Sequence, residues 1–285
     1  MWSGLAVLEY AVTALLCVAT ITFLACICKW KSVSKLWDES APLLVLFVFI
    51  FVFCLAHLIF SLEWMLVASE IVNSSLVVRG LLHFSGVAAF ASKWCYDSST
   101  IVILLQRIYF LCFPTKPWSH LNRVLLTLNL IVCGAVVVTA FTLNLLMTDL
   151  TVSETIEGCF SFICMSSQVP FVAGFTTRTV LAFSATIVLL GLVLQVLLRR
   201  YRSPFKSALD KKINAFTSYI FFLRVFLEII PYVTNEILHR TAGIHLGSYI
   251  GPYGALGGAI DVFICTFVYY RITKKTTSAA WVTSC

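Results

Sequence analysis

Charge is what this chain has least of. Only 12% of its 285 residues are Asp, Glu, Lys or Arg, 60% are hydrophobic, and the mean hydropathy is +0.96. A soluble domain carries about a quarter charged residues, so a free-standing water-soluble fold is excluded and the chain reads as a membrane protein. Catalytic motifs are lacking too. No H-E-x-x-H, G-x-S-x-G, nucleotide loop or recognisable pair of membrane aspartates occurs, so no enzyme is expected. No C-x-x-C or histidine group stands at metal-ligand spacing, so neither a metal nor another cofactor is expected. A basic region ahead of the first apolar run is also missing. That run, from Gly4 to Cys28, far exceeds the roughly 7–15 residues of a signal-peptide core and is read as a retained span.

Cysteine is not scarce, but most of the 11 lie inside apolar runs: Cys17, Cys26, Cys28, Cys54, Cys112, Cys133 and Cys265. There they act as small apolar residues. The net charge of +7 would point to nucleic acid in a soluble protein; here the sidedness of cations around a bilayer accounts for it, and no nucleic-acid partner is expected.

Apolar windows long enough to cross roughly 30 Å of hydrocarbon fall at about 5–28, 41–62, 81–112, 124–147, 172–198, 213–236 and 249–270. The expected fold is therefore an all-α membrane protein, a single bundle of seven transmembrane helices over 1–285, with 271–285 as a short cytoplasmic tail. The fifth span begins after Pro170 and the sixth carries Pro231. The seventh is expected to be loosened by Gly251-Pro252, Gly254 and Gly257-Gly258.

Cations set the orientation. Lys29, Lys31 and Lys35 follow span 1; Arg107, Lys116 and Arg123 surround the end of span 3. Arg199, Arg200, Arg202, Lys206, Lys211 and Lys212 follow span 5, and Arg271, Lys274 and Lys275 lie in the tail. Only Arg79, Arg178 and Arg240 fall on the other side. This bias predicts an N-terminus outside and a tail in the cytoplasm. Glu70, Asp149, Glu154 and Glu157 then lie outside, as does Asn73-Ser74-Ser75, an N-x-S triplet that makes Asn73 a glycosylation candidate.

Some charges fit no anchoring rule. Lys93 and Asp97 stand four apart in span 3, Arg224 and Glu228 four apart in span 6, and Asp261 near the middle of span 7. Residues i and i+4 share a helix face, so each cation can pair with its own anion. At about 1.5 Å per residue, Asp97 lies roughly 15 Å outward of Arg107, close to mid-bilayer. Ionisable groups at that depth are expensive and should face the bundle interior. They predict a polar cavity that binds a small molecule or ion. The competing structural reading is a set of compensated pairs that fix helix register, with Asp261 as partner of Lys93 or Arg224. Glu9, His57 and His83 are further buried polar candidates.

Arg107 lies in "ILLQRIYFLCFPTKPW", at the inner end of span 3, two turns before Pro114. An anchor that snorkels to the cytoplasmic interface is the simple expectation. Yet the arginine with its aromatic followers and proline, the seven spans, the outside N-terminus and the basic loop "RRYRSPFKSALDKK" together resemble the G-protein-coupled receptor superfamily. The Q-R-aromatic-F-P pattern is most similar to the nematode-type serpentine chemoreceptors, with Srz-like classes nearest. The architecture covers nearly the whole chain, and the sequence-specific part about fifteen residues. The resemblance implies a chemosensory receptor at the plasma membrane, in a sensory cilium where cells have one. Its implied partners are a small-molecule or peptide ligand, a heterotrimeric G protein and the lipid bilayer. Arg107 matches the arginine that locks the inactive state and then meets the G protein. Gln106 replaces the acidic residue that usually restrains it, which implies a weaker lock and basal signalling. Arg199, Arg200 and Arg202 fall where such receptors contact the G protein.

Departures are plain. Span 7 ends in "FICTFVYYRITKK" without N-P-x-x-Y, and "GLLHFSG" at the outer end of span 3 has no cysteine. Cys159 and Cys164 could pair with each other or with the deeper Cys95, and spacing leaves this open. Ser203, Thr276, Thr277 and Ser278 are phosphorylation candidates, and Cys28, Cys112 and Cys285 palmitoylation candidates. A retinal pigment needs a Schiff-base lysine in the last span, where none precedes Lys274. A seven-span ligand-gated ion channel is the alternative from another class, but such channels keep the N-terminus inside. A small membrane transporter should show repeated halves, and none is visible.

Overall fold

The computed structural model describes residues 3–72, 75–113, 118–147, 162, 170–200, 208–242 and 253–282. Among them there are helices and no strands: α1 (Ser3–Trp30), α2 (Val33–Ala68), α3 (Leu76–Cys112), α4 (Trp118–Met147), α5 (Pro170–Arg200), α6 (Ala208–Arg224), a π-helical turn (Val225–Ile229), α7 (Ile230–Ala242) and α8 (Tyr253–Val282). Six stretches among the described residues are long and apolar enough to cross a membrane: Gly4–Trp30, Ser40–Ala68, His120–Leu146, Gly174–Arg200, Ile213–Asn235 and Gly254–Ile272. The chain is an all-α membrane protein. Helices suit hydrocarbon because every backbone donor and acceptor is satisfied within the segment.

The helix outside that set is α3, and its residues explain why. It carries Lys93 and Asp97 among Ser92, Ser98, Ser99 and Thr100, so its composition is too polar. Asp97 and all four hydroxyl residues are buried. It packs on α2, α4 and α5. The polar face is thus turned away from lipid, as an intramembrane charge requires.

Two local breaks matter for the site. The first is in α2, where Ser32 caps the N-terminus by accepting from the Lys35 amide at 3.4 Å. Ser40 is extended (φ −169°, ψ 100°), two residues before Pro42. Pro42 has no N–H to give to the Asp38 carbonyl, and its ring crowds that oxygen. Residues 33–39 therefore form a separate turn beside the span that starts at Ser40. The second break is the π turn. Pro231 has no N–H to give to the Leu227 carbonyl, and its ring crowds that oxygen. The helix widens instead, and the Ile230 amide bonds to the Val225 carbonyl. Backbone angles stay helical at both ends (Arg224 φ −59°, ψ −45°; Ile230 φ −61°, ψ −50°), so α6, the π turn and α7 run on as one rod.

The expected loosening of the last span is not found. Its helix runs without interruption from Tyr253 to Val282; Gly251 and Pro252 lie outside the described residues. Gly257 and Gly258 serve closeness instead. A Cβ at 257 would stand 3.0 Å from the Leu227 carbonyl oxygen, and one at 258 would stand 3.0 Å from the Phe53 ring. The same helix carries most of what was expected to be a separate tail.

Polar ties between helices supplement van der Waals packing, since lipid gives no hydrophobic drive for helix association. Ser98 donates to Asn129 Oδ1 at 2.7 Å, and Asn129 Nδ2 donates to Ser99 Oγ at 2.9 Å, joining α3 to α4. Gln195 Nε2 donates to Ser218 at 3.0 Å, joining α5 to α6. At one end of α1 and α8, Trp30 stacks on Tyr270 at 4.8 Å, with Lys274 Nζ 5.9 Å from the Trp30 ring.

Candidate functional site

The charges picked out in the sequence come together. Lys93 and Asp97 lie on one face of α3, Arg224 ends α6, Glu228 lies in the π turn and Asp261 lies on α8. The expected i,i+4 pairs form: Lys93 Nζ is 2.8 Å from Asp97 Oδ1, and Arg224 Nη1 is 2.6 Å from Glu228 Oε2. They are not self-contained. Lys93 Nζ also reaches Glu228 Oε2 at 2.6 Å, and Arg224 Nη1 pairs with Asp97 Oδ1. Arg224 Nε lies 3.1 Å from Asp261 Oδ2, so the partner of Asp261 is Arg224. Five ionisable groups from three parts of the bundle make one network.

Two residues that sequence reasoning missed complete it. The Tyr96 hydroxyl donates to Asp261 Oδ2 at 3.0 Å, and the Arg224 guanidinium lies 3.9 Å over the Tyr96 ring. Arg224 Nη2 donates to Thr100 Oγ1 at 3.1 Å. The signal was present: 93, 96, 97 and 100 share one helical face. The ring contact suits a desolvated guanidinium.

Burial is uneven. The side chains of Arg224 and Asp261 are 0% exposed and that of Asp97 9%, while Lys93 and Glu228 keep 21% and 17%. The network is therefore closed around Arg224 and reachable at the Lys93–Glu228 edge. Two carboxylate oxygens, Glu228 Oε1 and Asp261 Oδ1, are buried and receive no hydrogen bond.

A second polar locus lies at the other end of α3. Ser40, exposed to the bundle interior by the break in α2, donates to Gln106 Oε1 at 3.1 Å. Gln106 Nε2 donates to Asn122 Oδ1 at 2.9 Å. Arg107 is 2% exposed, its guanidinium 5.4 Å from the Phe110 ring. The snorkelling anchor is therefore corrected: this arginine is buried and not exposed at the rim.

The other candidates divide. Arg199 and Arg200 are exposed at the end of α5, while Arg202 lies outside the described residues. Cys95 is a buried free thiol whose carbonyl lies 3.9 Å from Cys133 Sγ, so it forms no bridge; Cys159 and Cys164 lie outside the described residues. So do Asn73, Ser203 and Cys285, although Ser75, third residue of the glycosylation triplet, caps α3 by accepting from the Val78 amide at 3.4 Å. Cys28 and Cys112 are exposed. His57 is buried, with Nδ1 3.1 Å from the Phe53 carbonyl and its ring stacked at 3.8 Å on Phe53. Glu9 and His83 are also buried. Comparison with protein-family models and with curated proteins found no match.

Proposed function

We propose that the chain is a seven-span chemosensory receptor that binds a small extracellular ligand within the bundle and activates a heterotrimeric G protein at its cytoplasmic face. In this reading α3 also crosses the membrane and brings the spans to seven, the N-terminus is outside, Asn73 is glycosylated and the protein works at the plasma membrane. The observation that carries the reading is the ion network joining α3, the π turn and α8, set ten residues along α3 from the buried Arg107. Packing does not require such a network. A buried ion group can often be replaced by apolar residues with no loss of stability. Retaining five ionisable groups points to a use for them.

The expected use is a switch. A ligand entering at the Lys93–Glu228 edge competes for Glu228, which Lys93 and Arg224 both hold. The helix arrangement that follows depends on how the ligand's affinity differs between arrangements. Glu228 sits where the helix is already widened by Pro231, and π turns often mark functional positions. Movement there is relayed along α6 and α3 towards Gln106, Arg107 and the exposed Arg199 and Arg200, which form the coupling face.

The test is a G-protein reporter cell line expressing the chain, screened with odorants and small peptides. A ligand-dependent signal lost in Asp261→Ala at equal surface expression is the expected result. Equal loss of signal and expression would leave the network a purely structural device. A ligand-evoked current that persists with G proteins blocked would make the protein a channel.

A further inference from the structure

The network does not balance. Lys93 and Arg224 face three carboxylates, Asp97, Glu228 and Asp261. With all five ionised, one negative charge is left over in a low-dielectric interior, where an uncompensated charge is costly. Buried atoms without a hydrogen bond remain on both sides of the network: Glu228 Oε1, Asp261 Oδ1 and Arg224 Nε. Asp97 and Glu228 are each held by both cations, and Asp261 by Arg224 and the Tyr96 hydroxyl. Asp261 is fully enclosed, but Glu228 stands at the reachable edge.

Resting on the receptor reading, we propose that this surplus charge selects the ligand class: a small organic ammonium that seats at the Lys93–Glu228 edge and takes the place of Lys93 on the Glu228 carboxylate. An ammonium supplies what is missing, one positive charge and several donors. Charge-assisted bonds to a carboxylate are the strong kind. An anion would meet three carboxylates, and a neutral group would leave the surplus in place. Occupation leaves Arg224 to Asp97 and Asp261.

The experiment uses the full chain purified in nanodiscs at fixed ionic strength. Phenethylamine and butylamine are each compared with the alcohol and the carboxylic acid of the same skeleton, reading the unfolding temperature. The amines are expected to raise it in a saturable way, with half-saturation at least about tenfold below the matched alcohols and acids, a difference of about 1.4 kcal/mol. Glu228→Gln is expected to abolish that preference, as is Asp261→Asn by neutralising the surplus. Glu228→Gln carries the argument if Asp261→Asn does not fold. Alcohols or acids binding as well as amines would overturn the proposal. So would an unchanged preference in folded Glu228→Gln, or the same stabilisation from sodium alone or mild acid alone. Because this readout needs no G protein, amine binding without signalling sinks the receptor reading alone. Signalling evoked by neutral compounds but not by amines sinks the ammonium proposal alone.

Discussion

Gly257 of α8 lies against the backbone carbonyl of Leu227, so close that a Cβ on residue 257 would stand 3.0 Å from the oxygen. That carbonyl is the one Pro231 cannot serve. The last helix therefore packs on the widened turn that carries Glu228, and brings Asp261 to Arg224 one turn further along. Gly257→Ala must push α8 away from the turn. It is expected to cost about 1–3 kcal/mol, with Gly257→Val worse, measured as loss of thermal stability in nanodiscs.

Pro231→Ala restores the missing N–H and lets the π turn close to an ordinary helix. Removing the widening changes the register of one side by about one residue, a rotation of about 100°. Glu228 then leaves Lys93 and Arg224. Surface expression is expected to match or exceed the parent while ligand potency falls about tenfold or more. Unchanged potency would mean that the turn does not position Glu228.

Arg224 and Lys93 should not be equivalent. Removing the enclosed cation leaves buried carboxylates uncompensated, which typically costs about 3–5 kcal/mol. Arg224→Met is expected to lose most folded protein by size-exclusion profile, while Lys93→Met, at the reachable edge, loses clearly less. The double variant Arg224→Met/Asp261→Asn should recover part of the loss, since the two groups interact directly. A strictly additive double variant would contradict the geometry.

Gln106→Glu is expected to lower basal G-protein signalling at constant surface amount. A carboxylate beside Arg107 would hold the guanidinium more firmly than an amide. It would also give up the donor that now serves Asn122. Ser40→Ala, which removes a donor to Gln106 without adding charge, is expected to leave basal signalling unchanged or higher, never lower.

Much of this was legible in the residues. Apolar runs located the six stretches long and apolar enough to cross a membrane among the described residues, because hydrocarbon leaves backbone groups no partner but the helix itself. That same fact kept α8 unbroken through its glycines, against the expectation that they would loosen it. The i,i+4 pairs on α3 and across the end of α6 followed from periodicity. Their merging into one network did not, because which faces meet is decided by packing between helices distant in sequence. Arg107 shows the same boundary. Its place near the helix end was readable, whereas its burial was not, nor was the tie of its neighbour Gln106 to Ser40, sixty-six residues away in sequence. Pro231 announced a disturbance, but not that it would take the form of a π turn that presents Glu228.

Arg224 offers a single nitrogen, Nη1, to carboxylates on two different helical segments, Asp97 and Glu228. That nitrogen carries two N–H groups, enough to serve both at once, so the guanidinium links the two carboxylates. Whatever draws Glu228 away at the reachable edge is felt at Asp97 without touching it. By thermodynamic reciprocity, a change at Asp97 alters affinity at Glu228 by the same factor.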